Sequence, residues 1–224
     1  MPTIISQIDR EEARLTASLP APVLPTVCLY FEGLRSKFKE ADYALRRIKD
    51  LGVINVQFMT SSEQVYYLTE DKLRFYVDAF FAFSYSALDV MSQIINQKFN
   101  FFADEKDVKF KQVVGTLATS TQNGTTLQQL CAGFRSTPEF TDLEAYRNCS
   151  THRRHIYISL YQGPREHGSR AYPTTTTIPT GYWLIWDDPN VLNPTTRKRR
   201  KLISYCDKTH KLVRRKVLEI LRSL

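Results

Sequence analysis

Glycine is scarce in this chain, with eight in 224 residues. No glycine-rich phosphate loop can be found among them, which excludes nucleotide binding of that type. Cysteine is scarce as well. Cys28, Cys131, Cys149 and Cys206 are far apart and form no CxxC pair, so a dense disulfide framework is excluded and free thiols in a reducing compartment are expected. Long apolar runs are missing. The most apolar stretch, around Tyr76 to Ile95, is broken by Asp78 and Asp89 and reads as a core helix rather than a membrane span. The opening residues carry charges from Asp9 to Arg14 and no apolar segment, so no secretory signal is expected. No internal repeat is visible. These absences point to a cytoplasmic protein with no membrane partner.

What is present is enough for a large domain. The hydrophobic content of 42% supports a real core. The net charge is +8, and it is unevenly placed. From Arg197 to Leu224 there are eleven Lys/Arg and two acids, a balance of +9, which leaves −1 for the rest of the chain. A basic field confined to one segment favours a polyanion such as nucleic acid, an acidic partner or a membrane surface.

The hydrophobic spacing predicts helices. Residues 1–19 suit a short polar helix with Ile4, Ile5, Ile8 and Leu15 as its apolar side, and Pro20, Pro22 and Pro25 suggest an extended linker. Phe31, Leu34, Phe38, Ala41, Leu45 and Ile48 recur three and four apart, a bundle-helix pattern that Gly52 is expected to end. Val53 to Phe58 reads as a loop or a short extended piece. Thr69 is a candidate cap for the next helix, whose stripe runs Leu73, Tyr76, Val77, Phe80, Phe81, Ser84, Ala87, Leu88, Met91 and Ile94. Shorter helices follow over Asp107 to Thr119 and Thr125 to Phe134, separated by an Asn123-Gly124 turn. Pro138 opens another. Ile156 to Tyr161 and Tyr182 to Trp186 are β-branched and aromatic, as in a β-hairpin. Its long Thr/Pro-rich loop carries Arg165, His167 and Arg170. Asp187-Asp188-Pro189 reads as a turn. Thr195 or Thr196 would cap the last helix. Its inner side is Leu202, Cys206, Val213, Val217, Ile220 and Leu224, and Lys201, Lys208, Arg215 and Arg222 repeat every seven residues on another side, joined by Lys211 and Arg214. The domain reading is an N-terminal polar segment and Pro-rich linker over 1–28, then a single helical domain over 29–224 with a hairpin and loop insertion at 155–195.

The chemistry centres on Glu144-Ala-Tyr-Arg147-Asn148-Cys149-Ser-Thr-His152-Arg153-Arg154-His155. Phe140 and Leu143 mark a helix face on which position 147 is due next, and it is an arginine. A charge there needs a partner or a cleft, because an unpaired buried charge is very costly. Asn148 and His152 are four apart and share a face. Arg147 and His152 are five apart, roughly 140° after a full turn, and a long Arg side chain can swing toward the His.

This Arg-Asn-x3-His run resembles the Arg-x(4–6)-His motif of the HEPN superfamily, helical bundles of which many are metal-independent ribonucleases. The residue after the Arg in that family is commonly Asn, Asp or His, and here it is Asn148. The resemblance implies a mainly α, antiparallel helical bundle, covering about Tyr30 to His152 plus the last helix, from which the hairpin departs. Ser84 or Asp89 could be the polar residue that faces such a motif, although a serine bonded to its own helix backbone is the plainer reading. The resemblance further implies RNA cleavage to a 2′,3′-cyclic phosphate without a metal or other cofactor. His152 would act as acid or base, Arg147 would hold the phosphate, and Asn148 would bond the phosphate or the His ring. One His cannot readily be both acid and base, and the resemblance supplies a homodimer that pairs two motifs. Arg153, Arg154, Lys201, Lys208, Lys211, Arg214 and Arg215 are the candidate nucleic-acid contacts. Toxin and defence systems, with an antitoxin or regulatory protein as partner, are among the settings the resemblance implies.

Two rivals stand beside it. One is a HEPN-like module that binds nucleic acid or protein without catalysis. The other is a structural zinc site built from Cys149, His152, Cys206 and His210, since each Cys–His pair lies on one helical turn.

Overall fold

The computed structural model describes residues 3–58, 63–152, 158–162, 182–186 and 200–224, with side chains over 3–51, 71–148 and 202–224. The chain is mainly α-helical: α1 (Ile4–Thr16), α2 (Leu24–Phe58), α3 (Glu63–Phe99), α4 (Phe110–Thr119), α5 (Thr126–Arg135), α6 (Pro138–His152) and α7 (Leu202–Ser223). Together these helices make a mainly α bundle.

Three sequence expectations change at the helix ends. The prolines do not make an extended linker. Ala21–Val23 forms one 3-10 turn, and Pro25 falls in the first turn of α2, where a missing N–H costs nothing. Gly52 does not end α2, which runs 35 residues through it to Phe58. A mid-helix glycine costs only about 0.5–1 kcal/mol relative to Ala, and Phe31, Leu34, Phe38, Ala41, Leu45 and Ile48 are all buried along the same helix. Thr69 lies inside α3 rather than at its cap, since α3 starts at Glu63. At its other end α3 is closed by Asn100 with φ 53°, a left-handed position that Asn tolerates better than most side chains. The Asn123-Gly124 turn forms as expected, with Gly124 at φ 79°, and Thr125 caps α5 by accepting from the Gln128 N–H.

The chain divides into two compact units, to which α2, α3, α6 and α7 each contribute different parts: residues 1–41, 82–144 and 209–224 form the first, and 42–81 and 145–208 the second. The first holds α1, α4 and α5. Phe110, Phe134 and Phe140 meet there with ring centroids 5.4–5.9 Å apart. Asp89 accepts the Phe110 N–H at 3.1 Å, so this carboxylate caps α4 from a neighbouring helix. The chain ends are tied together in this unit. Arg14 Nη2 donates to the Leu221 carbonyl at 2.6 Å, and Lys98 Nζ to the Leu224 carbonyl, both cations sitting where a helix C-terminus favours positive charge.

The second unit buries Ala44, Leu45, Ile48, Leu73, Val77, Phe80, Phe81, Tyr146, Leu202 and Cys206. Phe81, Tyr146 and Tyr205 form its aromatic centre, at 4.9–6.3 Å between centroids. Lys49 and Asp207 pair at 2.7 Å. A small antiparallel sheet in the order β1 (Ile158–Gln162), β2 (Tyr182–Trp186), β3 (Arg200–Lys201) belongs to this unit as well, with Ile158 opposite Trp186 and Trp186 opposite Arg200. The loop that would make β1 and β2 a hairpin insertion, with Arg165, His167 and Arg170, lies outside the described residues, and so do Asp187, Asp188 and the proposed caps Thr195 and Thr196. The last helix starts at Leu202, later than those caps imply. Five consecutive cations over 197–201 would repel one another across a helical turn, and two of them, Arg200 and Lys201, are strand residues instead.

Candidate active site

The motif sits on α6, and the helix is built to hold it. Thr137 caps α6 by accepting the Phe140 N–H at 3.2 Å, and Pro138 takes the first helical position. Phe140, Leu143 and Tyr146 are then fully buried. The apolar face therefore continues through position 146, three residues after Leu143, and not through 147. This corrects the expectation that Arg147 occupies the buried register. Tyr146 holds that place, its ring against Phe81 at 4.9 Å and Tyr205 at 5.6 Å, and Arg147 stands beside it, half-buried. The i+3 spacing from Leu143 was the signal for Tyr146.

Arg147 Nη1 donates to Asn148 Oδ1 at 3.0 Å. A guanidinium has only donors, so the contact fixes which way the Asn148 amide faces. The Asn148 NH2 is thereby left as a donor group on a half-buried residue, next to the planar fork of Arg147. That pairing suits an oxyanion such as phosphate. His152 is the last residue of α6, and its side chain lies outside the described residues, as do Arg153 and Arg154.

The upstream turn of α6, in the first unit, carries a second polar group. Glu144 accepts from Tyr85 Oη at 3.3 Å and from Lys111 Nζ at 3.2 Å. Of the two polar candidates on α3, Asp89 is used as the α4 cap. Ser84 is only 1% exposed, and its Oγ makes no hydrogen bond among the described residues. The backbone bond expected of Ser84 is thus absent, whereas Ser92 on the same helix does bond the Leu88 carbonyl at 2.8 Å.

The basic candidates fall in different places. Lys201 is a β3 residue and so leaves the helical row in which its spacing put it. Lys208, Lys211 and Arg215 are exposed on α7 and Arg214 is half-buried. Arg215 has Glu219 at 3.8 Å, while Glu219 also takes Lys216 at 2.7 Å. Arg222, the last of the seven-residue row, is committed to Glu11 at 3.4 Å and Gln7 at 3.3 Å. Of the zinc candidates, Cys206 is buried, which pushes its thiol well above the ordinary range, and His210 is 4% exposed with its ring edge-on to Phe38 at 6.5 Å. The Cys149 side chain, like that of His152, is outside the described residues, and no group of three or more His, Cys, Asp or Glu placed to hold a metal occurs among those described. Within the described residues, no helix is long and apolar enough to cross a membrane.

A family model described as Cthe2314-like HEPN matches residues 31–177. The matched range takes in most of α2 and all of α3 to α6 with the Arg-Asn-x3-His run, and it stops before α7. No curated protein and no solved structure gives a match. With more than half of its length matched, motif helix included, the chain belongs to the HEPN superfamily as a Cthe2314-like HEPN protein.

Proposed function

We propose that this protein is a metal-independent endoribonuclease in which Arg147 and Asn148 bind the scissile phosphate and His152 transfers the proton. The observation that carries the reading is the Arg147–Asn148 contact at 3.0 Å on the motif helix of a HEPN chain. It arms an adjacent pair of residues with several N–H donors for one oxyanion. Attack of a 2′-OH on the adjacent phosphorus would release a 5′-OH end and leave a 2′,3′-cyclic phosphate. His152, near neutral in its ordinary titration, takes or gives the proton. Since one imidazole serves one proton transfer at a time, the complete site is a homodimer with two motifs. A cytoplasmic setting, where RNA is at hand, completes this reading.

The test is cleavage of a single-stranded RNA in excess EDTA. Cutting that persists with EDTA and is lost in His152→Ala is the expected result, and undiminished cutting by that variant would end the proposal.

A second reading, binding without cleavage, is favoured by α7. Lys208 and Lys211 are exposed there, and α7 lies outside the matched family range. Salt-dependent RNA binding with no cleavage product is its signature.

A further inference from the structure

Three large apolar side chains stand exposed among the described residues: Leu29, Tyr43 and Phe75. Leu29 belongs to the first unit. Tyr43, on α2, and Phe75, on α3, both lie in the second unit, and they are joined through one ring. Tyr76 meets Tyr43 edge-on at 6.0 Å and Phe75 edge-on at 5.3 Å. Phe75 is 66% exposed and Tyr43 47%. Single exposed hydrophobics are ordinary, but a contiguous set of aromatic rings on a water-facing surface is not.

Cations are interleaved with these rings. The Arg47 guanidinium carbon lies 5.5 Å from the Tyr43 ring centre, and its Nε donates to the Tyr43 hydroxyl at 3.2 Å. Arg46, one residue away, and Lys72, on the turn before Phe75, are exposed. Acids are present too: Asp50 lies 3.8 Å from Arg47 and Asp71 lies 3.7 Å from Arg74. The arrangement offers flat π faces for flat partners and guanidinium or ammonium groups for phosphates. Single-stranded nucleic acid carries both features in alternation, and unpaired bases stack readily on Tyr, Phe and Arg planes. A duplex hides its base faces and could use only the cations. Aromatic and arginine side chains also occur at protein interfaces, but the exposed Arg46 and Lys72 beside the rings, together with the ribonuclease reading, favour a partner that carries phosphates.

We propose that Tyr43, Phe75 and Tyr76, with Arg46, Arg47 and Lys72, form a stacking platform for unpaired bases of single-stranded RNA. The platform deepens the ribonuclease reading, because it selects unpaired over paired RNA as the substrate class.

The probe is a short oligouridylate with 2′-O-methyl riboses, which the chemistry proposed above cannot cleave, compared with a 2′-O-methyl duplex of equal length. Binding is measured by fluorescence anisotropy with the full chain. Tyr43→Ala and Phe75→Ala, both at exposed positions, should each weaken single-strand binding roughly 5- to 100-fold, the range seen when a stacked ring is removed. Duplex binding should hold within about twofold. Tyr43→Phe and Phe75→Tyr keep the rings and should bind like the parent. Equal losses on both probes, or no loss on the single strand, would overturn the platform. So would a shift of the alanine variants to a smaller assembly in sedimentation with single-strand affinity unchanged, which would make this face a contact between copies. His152→Ala separates the two proposals. If it still cleaves RNA while the single-strand losses of Tyr43→Ala and Phe75→Ala hold, the nuclease reading fails and the platform stands.

Discussion

Helices α6 and α7 place their charged residues differently. On α7 four cations face water, although the polar Thr209 and His210 are buried. Leu202, Cys206, Val213, Val217, Ile220 and Leu224 are buried, and Lys208, Lys211, Arg215 and Arg222 are exposed. On α6 that separation of charge from the core is weaker. Asp142 is buried at 8% exposure on the same helix as Phe140, Leu143 and Tyr146, and the two functional candidates Arg147 and Asn148 are half-buried beside them in sequence. A helix that only needs to dock can keep its lysines and arginines in water. A helix that holds a charged group at the edge of a core gives up part of that regularity, and local rule-breaking of this kind is expected at functional sites.

The sharpest way to break the comparison is to remove the chemistry from α6. In single-turnover RNA cleavage, His152→Ala should lower the rate roughly 10²–10⁴-fold with the thermal transition unchanged, because proton transfer is lost. Arg147→Lys keeps the charge but removes the fork, and should also slow cleavage. Since Arg147 flanks the apolar face and Tyr146 fills it, Arg147→Lys should leave the fold intact. Unfolding of that variant would mean that the arginine, and not the tyrosine, is the structural residue.

The next effect separates packing from chemistry on the same helix. Tyr146→Ala removes a fully buried ring that touches Phe81 and Tyr205. It should cost about 3–5 kcal/mol in chemical denaturation. A loss under about 1 kcal/mol would show that the second unit does not depend on this aromatic centre.

On α7 the corresponding change is electrostatic. Neutralising Lys208, Lys211, Arg214 and Arg215 together should flatten the log–log salt dependence of nucleic-acid binding by about three units if all four touch phosphates. An unchanged slope would reduce this face to a solubilising surface.

The same contrast explains what the sequence disclosed. The inner stripe of α7 and the stripes of α2 and α3 follow a 3.6-residue period closely enough that the positions named for them are buried, although Ala44, Tyr85, Ile95, Leu218 and Leu221, among others, are buried as well. Tyr76 is an exception, half-buried because it serves the surface group of Tyr43 and Phe75. The spacing puts position 147 on the apolar face, with a partner or a cleft open to it, because i+3 and i+4 both satisfy the helical period, and only packing against Phe81 and Tyr205 decides for Tyr146. Helix ends were the other weak point. Gly52, Thr69 and the three prolines are stop or start signals worth about 1 kcal/mol or less in these settings, and the burial of whole helices outweighs them. Lys201 shows a third limit. A seven-residue repeat cannot tell whether its first member is already in the helix. The pairing of Arg14 and Arg222 around Glu11 joins positions 211 residues apart in the chain, beyond the reach of any local pattern.

That last cluster supports the smallest prediction. The Glu11 side chain is 7% exposed, while Arg14 and Arg222 keep 44% and 53% exposure. The carboxylate has given up most of its water, and the two guanidiniums have not. Arg14 lies 2.9 Å away and Arg222 lies 3.4 Å away, so either can partner Glu11 when the other is gone. Arg222→Ala alone should therefore cost no more than about 1 kcal/mol, in the range of partly exposed ion pairs. Arg14→Ala should cost somewhat more, because it also removes the bond to the Leu221 carbonyl. The double variant leaves a buried carboxylate with neither arginine, and its cost should exceed the sum of the two single costs by roughly 0.5–2 kcal/mol. Chemical denaturation of the four proteins in one double-mutant cycle measures this excess. Strict additivity would mean that each arginine acts through its other contacts, Arg14 on Leu221 and Arg222 on Gln7, and that Glu11 does not couple the first and last helices.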